Sequence, residues 1–279
     1  MHKKDKSSVT FKLLGILLIA FFTVITVYPL FQTILISLKP VEEFTRNPLG
    51  FTTVIRLQNY VDAWVMGDFN TLFLNTIIVT VTTVILVIII ASPAGFTLSK
   101  LKVRGEKYIY SYFMLGMIIP IQAIMIPLMK ITNVTHMNNR LSTLVLIYTG
   151  TLISFPILIY TGFYKNIPYE IIEAARIDGC NVFRLFASII FPMTTMVNMT
   201  VAIFVGKEPW RDFFIPLLFT SDKSKRTLAI GLFTFQGSYF TNWTIIFAMI
   251  VLISLPLVLL FLFSQKAFIN GVVAGSVKG

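Results

Sequence analysis

Six stretches of this chain are apolar for long enough to cross a bilayer, and no other feature constrains its fold as tightly. About 30 Å of hydrocarbon calls for roughly 20 helical residues. The runs 13–35, 73–96, 108–129, 141–163, 185–205 and 243–263 meet that length. In lipid each backbone N–H and C=O has to be satisfied within the protein, which leaves helices or closed barrels. Continuous apolar runs without strand-like alternation select helices. The charged fraction is 13%, about half of what a soluble domain carries. The chain therefore reads as an all-α integral membrane protein with six transmembrane helices.

Lysine and arginine set the expected orientation. With the N-terminus inside, the inner segments hold thirteen basic residues and the outer ones ten. The density decides more than the count: Lys100, Lys102, Arg104 and Lys107 crowd one short loop, and short loops near span ends carry the positive-inside signal. Lys223, Lys225 and Arg226 argue the other way. The expected layout is a cytoplasmic tail over 1–12, a permeating domain over 13–264 and a cytoplasmic tail over 265–279, in the cell membrane. The first run follows Lys3, Lys4 and Lys6, but it is longer than a signal-peptide core and no small-x-small site closes it; it reads as a retained helix. The net charge of +11 falls in loops between spans, so it speaks for membrane orientation and against nucleic acid, whose footprint clusters on one face of a soluble domain.

Several chemistries lack their residues. His2 and His136 have no acidic or histidine neighbour at ligand spacing, so no metal is expected. The one cysteine, Cys180, excludes an internal disulfide and reads as a small packing residue. The only Gly-Lys pair is Gly206-Lys207, preceded by Val201 where a phosphate-binding loop needs its first glycine and followed by Glu208. No nucleotide or other cofactor is expected, and no catalytic group. The acidic residues lie almost entirely in loops, so no buried carboxylate stands ready to relay protons. A transporter of this kind draws its energy from elsewhere. Prolines at 29, 93, 120, 127, 156, 192 and 256 bend helices, which suits a moving pathway.

The polar segment of about 166–184, between spans four and five, reads as two short helices and a turn. Pro168 and Glu170 suit the start of a helix over 169–177. Asp178-Gly179 is a turn signal, and Asn181 is placed to cap the helix that follows. Glu173 and Ile177 share a face, while Ala174 and Ala175 leave room for a close approach. On residues alone this is either an elbow on the lipid headgroups or a contact for a partner outside the membrane.

Glu173-Ala174-Ala175, with Gly179 four residues on and Ile190-Phe191-Pro192 beyond, resembles the EAA motif of bacterial ABC importer permeases. Ser37-Leu38-Lys39-Pro40, Asn59-Tyr60, Trp210-x-Asp212, Arg226-Thr227-Leu228, Phe235-Gln236-Gly237 and the ending Ala274-Gly275-Ser276-Val277-Lys278-Gly279 are similar to the carbohydrate-uptake branch, the maltose-type inner-subunit family. The resemblance covers nearly the whole chain. It implies a cytoplasmic coupling helix between helices four and five, docked on an ATPase dimer. Glu173 would pair with a basic ATPase residue, Ala174 and Ala175 would allow close packing, Asp178-Gly179 would form the turn and Pro192 would mark the start of the next membrane helix. It further implies a second homologous permease, an extracytoplasmic solute-binding protein, and uptake of a carbohydrate or glycoside by alternating access, with ATP hydrolysed in a separate subunit.

The stretch Gly206-Lys207-Glu208-Pro209 departs from that family. Lys207 and Glu208 either pair with each other at a span end or line the substrate path. Asn75, Gln122, Thr149, Ser154 and Asn198 are polar residues within spans, suited either to interhelical hydrogen bonds or to ligand hydroxyls; none is assigned to substrate. The long segment 213–242 is a receptor-contact loop by its length and mixed polarity. Deleting residues 221–225 without loss of receptor-stimulated uptake would refute that assignment. The rival readings are a stand-alone secondary transporter or channel, which needs intramembrane coupling residues, and a membrane enzyme, which needs clustered His or Asp.

Overall fold

The computed structural model describes residues 6–101, 103–235 and 241–276. Lys3, Lys4, Lys102, Gln236, Gly237 and the last three residues of the C-terminal motif lie outside them. The helices in chain order are α1 (Lys6–Ser37), α2 (Val41–Arg46), α3 (Gln58–Met66), α4 (Phe69–Lys100), α5 (Glu106–Gly116), α6 (Ile121–Val134), α7 (Leu141–Leu152), α8 (Ser154–Lys165), α9 (Tyr169–Ile177), α10 (Val182–Leu185), α11 (Thr195–Arg211), α12 (Phe214–Phe219), α13 (Leu228–Gly231) and α14 (Trp243–Ser276). Among the described residues four helical runs are long and apolar enough to cross a membrane, and two bent helix pairs raise the number to six.

Those two pairs occupy the spans read at 108–129 and 141–163, and their bends fall where Pro120 and Pro156 are expected to bend the helix. α5 and α6 meet at 95°. Pro120 has no N–H to continue the helix, and the residue before a proline is pushed toward extended backbone. The chain accordingly tightens through three-residue turns at Met117 and Ile118, and Pro120 itself is extended. At 11 residues, α5 is about 16 Å long and does not cross the hydrocarbon alone. α7 and α8 meet at 49°, because Pro156 leaves the Leu152 carbonyl without its helical donor.

The fifth span is longer than expected, running over Val182–Arg211. It passes through a widened π turn at Phe186–Ile190 and a tight 3-10 turn at Phe191–Thr194 before α11. Pro192 explains both, since it removes the bond that Ser188 would accept in a regular helix. Lys207, Glu208 and Pro209 lie inside α11 rather than beyond the span. α14 likewise continues past residue 263 through part of the segment read as a tail.

The chain divides into two units: residues up to Asp68 with Leu232–Leu255, and Phe69–Gly231 with α14 from Pro256 on. In the first, the Asn59 amide donates to the carbonyls of Ser37 and Lys39 (2.9 and 2.8 Å), and the Ser37 and Tyr60 hydroxyls lie 2.6 Å apart. Lys39 is fully buried. Its ammonium donates to the carbonyls of Asn47, Pro48 and Gly50, which folds the loop after α2 around it. The two motifs of this region therefore bind one another.

In the second unit α4 is the central element, packed on α7, α8 and α11. Its core includes Val87, Ala91, Phe96, Tyr160, Tyr164, Val201 and Val205. Gly95 permits the closest crossing: a Cβ there would stand 2.6 Å from Tyr160 Cβ and 2.9 Å from the Thr161 nitrogen. Two buried tyrosine hydroxyls are paired across helices, Ser92 with Tyr164 at 2.6 Å and Tyr160 donating to Asn198 at 2.5 Å. Asn75 donates to the carbonyls of Ser224 and Arg226, and Thr76 accepts from the Leu228 amide. The Arg226-Thr227-Leu228 motif is thus tied to the start of α4.

Candidate functional site

α9 occupies residues 169–177, as its flanking residues predict. Pro168 precedes it in extended conformation, and Glu170 lies in the first turn. Gly179 ends it at φ +77°. The Cys180 amide donates to the Ala175 carbonyl and the Gly179 amide to that of Arg176, the paired closure of a Schellman motif. The Asn181 side chain accepts from the Arg184 amide at 2.8 Å, so it caps α10.

The two faces of α9 differ sharply. Ile172 and Ala175 are buried in the α4–α8–α11 core beside Phe96, Tyr164 and Leu185. The close approach that Ala175 allows is therefore to this chain's own helices. Glu173, Ala174, Arg176 and Asp178 are exposed. So are two large apolar side chains, Ile177 at 86% and, past the turn, Phe183 at 79%. Exposed apolar groups rimmed by polar ones mark contact with a partner or with a membrane surface. Pro192 lies within the span, in its 3-10 turn.

A second feature is a cavity of about 850 Å³. Both helix breaks border it: Gly116, Met117 and Ile121 from the α5–α6 bend, Leu152 and Ser154 from the α7–α8 bend. The breaks touch, since a Cβ on Gly116 would stand 2.8 Å from Ser154 Oγ. Irregular backbone at membrane depth is tolerated where it is buried in protein or lines a water-filled cavity. The end of α11 forms another wall through Glu208, Arg211 and Asp212.

The charged groups there are organised. Arg211 donates to both oxygens of Glu208 (Nε to Oε2 at 3.1 Å, Nη2 to Oε1 at 2.9 Å), and Lys207 Nζ stands 3.7 Å from Oε1. Asp212 accepts from the Tyr148 hydroxyl at 2.8 Å and from the amides of Phe214 and Ile215; it caps α12 and ties α7 to it. The pairing reading of Lys207-Glu208 holds, and Glu208 also borders the cavity. Of the polar span residues, Gln122 and Ser154 face the cavity, whereas Asn75 is spent on carbonyls of the loop at Ser224 and Arg226 and Asn198 on an interhelical bond. Sequence reasoning missed Tyr148, Thr151 and Arg211. The Trp210-x-Asp212 motif was the available pointer to this wall.

Comparison with known proteins gives the family and the fold. The family model described as binding-protein-dependent transport system inner membrane component matches residues 88–273. The chain belongs to that family. This permease is 30% identical to the Thermoanaerobacterium thermosulfurigenes protein described as "Probable starch degradation products transport system permease protein AmyC", over the full length of both. It is also 30% identical to the melibiose/raffinose/stachyose import permease protein MelC of Bacillus subtilis, over 90% of this chain and 91% of that one. Among solved structures, a chain of a bacterial ABC transporter involved in the import of the acidic polysaccharide alginate superposes with a TM-score of 0.86 at 19% identity, covering 96% of this permease and 100% of that chain. At that identity the match speaks for the fold alone.

Proposed function

We propose that this permease carries a carbohydrate or glycoside across the cytoplasmic membrane as one of two membrane subunits of an ABC importer. A cytoplasmic ATPase dimer, a second homologous permease and an extracytoplasmic solute-binding protein complete the assembly. The termini face the cytoplasm, and so does α9. The relatives named for oligosaccharides support the substrate class. The observation that carries the coupling role is the divided face of α9: Ile172 and Ala175 seat it in the helix core, while Glu173, Ala174 and Ile177, with Phe183 past the turn, are left outward. A helix so seated moves with the membrane core when a partner pulls on its outer face.

The cavity is the stretch of the pathway contributed by this subunit. Its paired charges and hydroxyls present donors and acceptors in a setting suited to a polyhydroxylated ligand. Alternating access opens it to each side in turn; ligand-loaded receptor and ATP favour the outward-open state, and hydrolysis resets the inward-open one. The chain itself performs no chemistry, and ATP is hydrolysed in the partner subunit. The segment 213–242 meets the receptor.

Glu173→Lys reverses the charge offered to the ATPase, and Gly179→Leu puts a side chain at positive φ, where L-residues are strained. Each variant is expected to abolish ATP-coupled uptake while the chain still inserts, measured as transport in membrane vesicles alongside immunodetection of the permease. Uptake at the unaltered level in both would remove the coupling role from α9.

A further inference from the structure

Lys100 is the last residue of α4, and positive-inside counting accounts for it only as a basic loop charge. Its side chain is instead buried, at 5% exposure. Among the described residues no acidic group lies within ion-pair distance of it, and Glu170 acts on its charge only from farther away. Nζ donates to the Ile167 carbonyl at 2.6 Å and the Lys165 carbonyl at 3.3 Å, and it stands 4.2 Å from the centre of the Tyr169 ring. An ammonium has three N–H donors. Two carbonyls and one ring face use all three.

The partners come from one short stretch. Lys165 ends α8, Ile167 lies in the connection, and Tyr169 begins α9. The last carbonyls of a helix are unsatisfied and sit at its negative end, so a buried cation there is held firmly. Orientation alone requires only a charge near the headgroups; it does not require a desolvated ammonium directed at the junction of two helices.

Apolar contacts already join α9 to the core through Ile172 and Ala175, but these can slide. The Lys100 bonds are directional. They fix the α8–α9 connection to the end of α4, with the Tyr169 ring of α9 against the same ammonium, and α4 packs along α8 and α11, which border the cavity through Ser154, Glu208 and Arg211.

We infer that Lys100 is a positioning residue, a latch that converts displacement of α9 into movement of α4 and α8. This rests on α9 being the ATPase contact. Loss of the latch leaves ATP hydrolysis running while less ligand crosses per ATP.

The test uses the complete importer in proteoliposomes, with ATP hydrolysis and ligand accumulation measured together. Lys100→Met is expected to assemble normally and to lower ligand transported per ATP by about fivefold or more, the lower end of ordinary coupling energies. Lys100→Arg keeps the charge and the donors in a different shape and is expected to restore most of that ratio. If Lys100→Met fails to accumulate, Tyr169→Leu serves in its place: it removes only the ring face, keeps both carbonyl bonds and is expected to shift the ratio in the same direction by less. An unchanged ratio in the variant that assembles overturns the latch. So does a fall in hydrolysis and transport that merely tracks the amount of complex, since that is what a structural cap would give. Glu173→Lys in the same assay separates the two levels. If it blocks uptake while the Lys100 ratio holds, only the latch fails; if it leaves uptake intact, the coupling role of α9 and the latch fail together.

Discussion

At the scale of single residues, this membrane protein twice satisfies a buried lysine with backbone carbonyls, with no carboxylate at ion-pair distance among the described residues. Lys39 does so in the loop after α1 and Lys100 at the end of α4. Burying an ammonium is costly unless each donor finds an acceptor; three converging carbonyls supply them at Lys39, two carbonyls and the Tyr169 ring at Lys100, without the desolvation of a second ion. Removing the ammonium leaves the carbonyls to find water or remain unpaired. For Lys39→Met the expected loss is about 1–3 kcal/mol, toward the lower end because Asn47 and Pro48 are exposed and can be rehydrated. Unfolding of the purified protein in detergent, followed by tryptophan fluorescence, checks this. An unchanged midpoint would mean the loop after α2 does not depend on Lys39.

At the scale of elements, the α4–α8 crossing depends on having no side chain at one position. A methyl group on Gly95 would run into Tyr160 Cβ and the Thr161 backbone, neither of which can rotate away. Gly95→Ala is expected to destabilise by about 1–3 kcal/mol. Gly162→Ala, on α8 with nothing within 4 Å of the new carbon, is expected to be neutral or slightly stabilising. Equal effects in the same unfolding measurement would dismiss Gly95 as the contact that sets the crossing. Element boundaries were legible wherever local chemistry decides them. Pro168, Asp178-Gly179 and Asn181 delimit α9 and α10 within a few residues of each other, and the structure follows them. The bends were legible only as a tendency. Pro120 and Pro156 announce a lost hydrogen bond, but the angle that follows, 95° in one case and 49° in the other, is set by what packs on either side. The cavity was not legible at all: it joins Gln122, Tyr148, Ser154 and Arg211 from three separate stretches of sequence, and no local pattern records their meeting. Lys100 failed for a related reason, since composition counts a charge and does not see its partners.

At the scale of the whole molecule, the question is whether the cavity changes its exposure during the transport cycle. Two interrupted helix pairs meet at its wall, and an interrupted helix can change its bend without breaking a regular ladder of hydrogen bonds. The α11 wall is joined to α4, and α4 to α9, so a pull on the outer face of α9 would reach the cavity through packed helices. The chain suits a direct measurement because Cys180 is its only cysteine. In a Cys180→Ser background, Gln122→Cys places one thiol on the exposed cavity wall. A membrane-impermeant maleimide applied from the receptor side should label it when the importer is held with receptor and a non-hydrolysable ATP analogue. Labelling should be strongly reduced in the nucleotide-free state, where the cavity faces the other side. The converse pattern should appear when the reagent is sealed on the ATPase side. Accessibility to one side that ignores nucleotide would make the cavity a fixed surface recess, and the translocation path would then have to run elsewhere, along surfaces completed by the second permease.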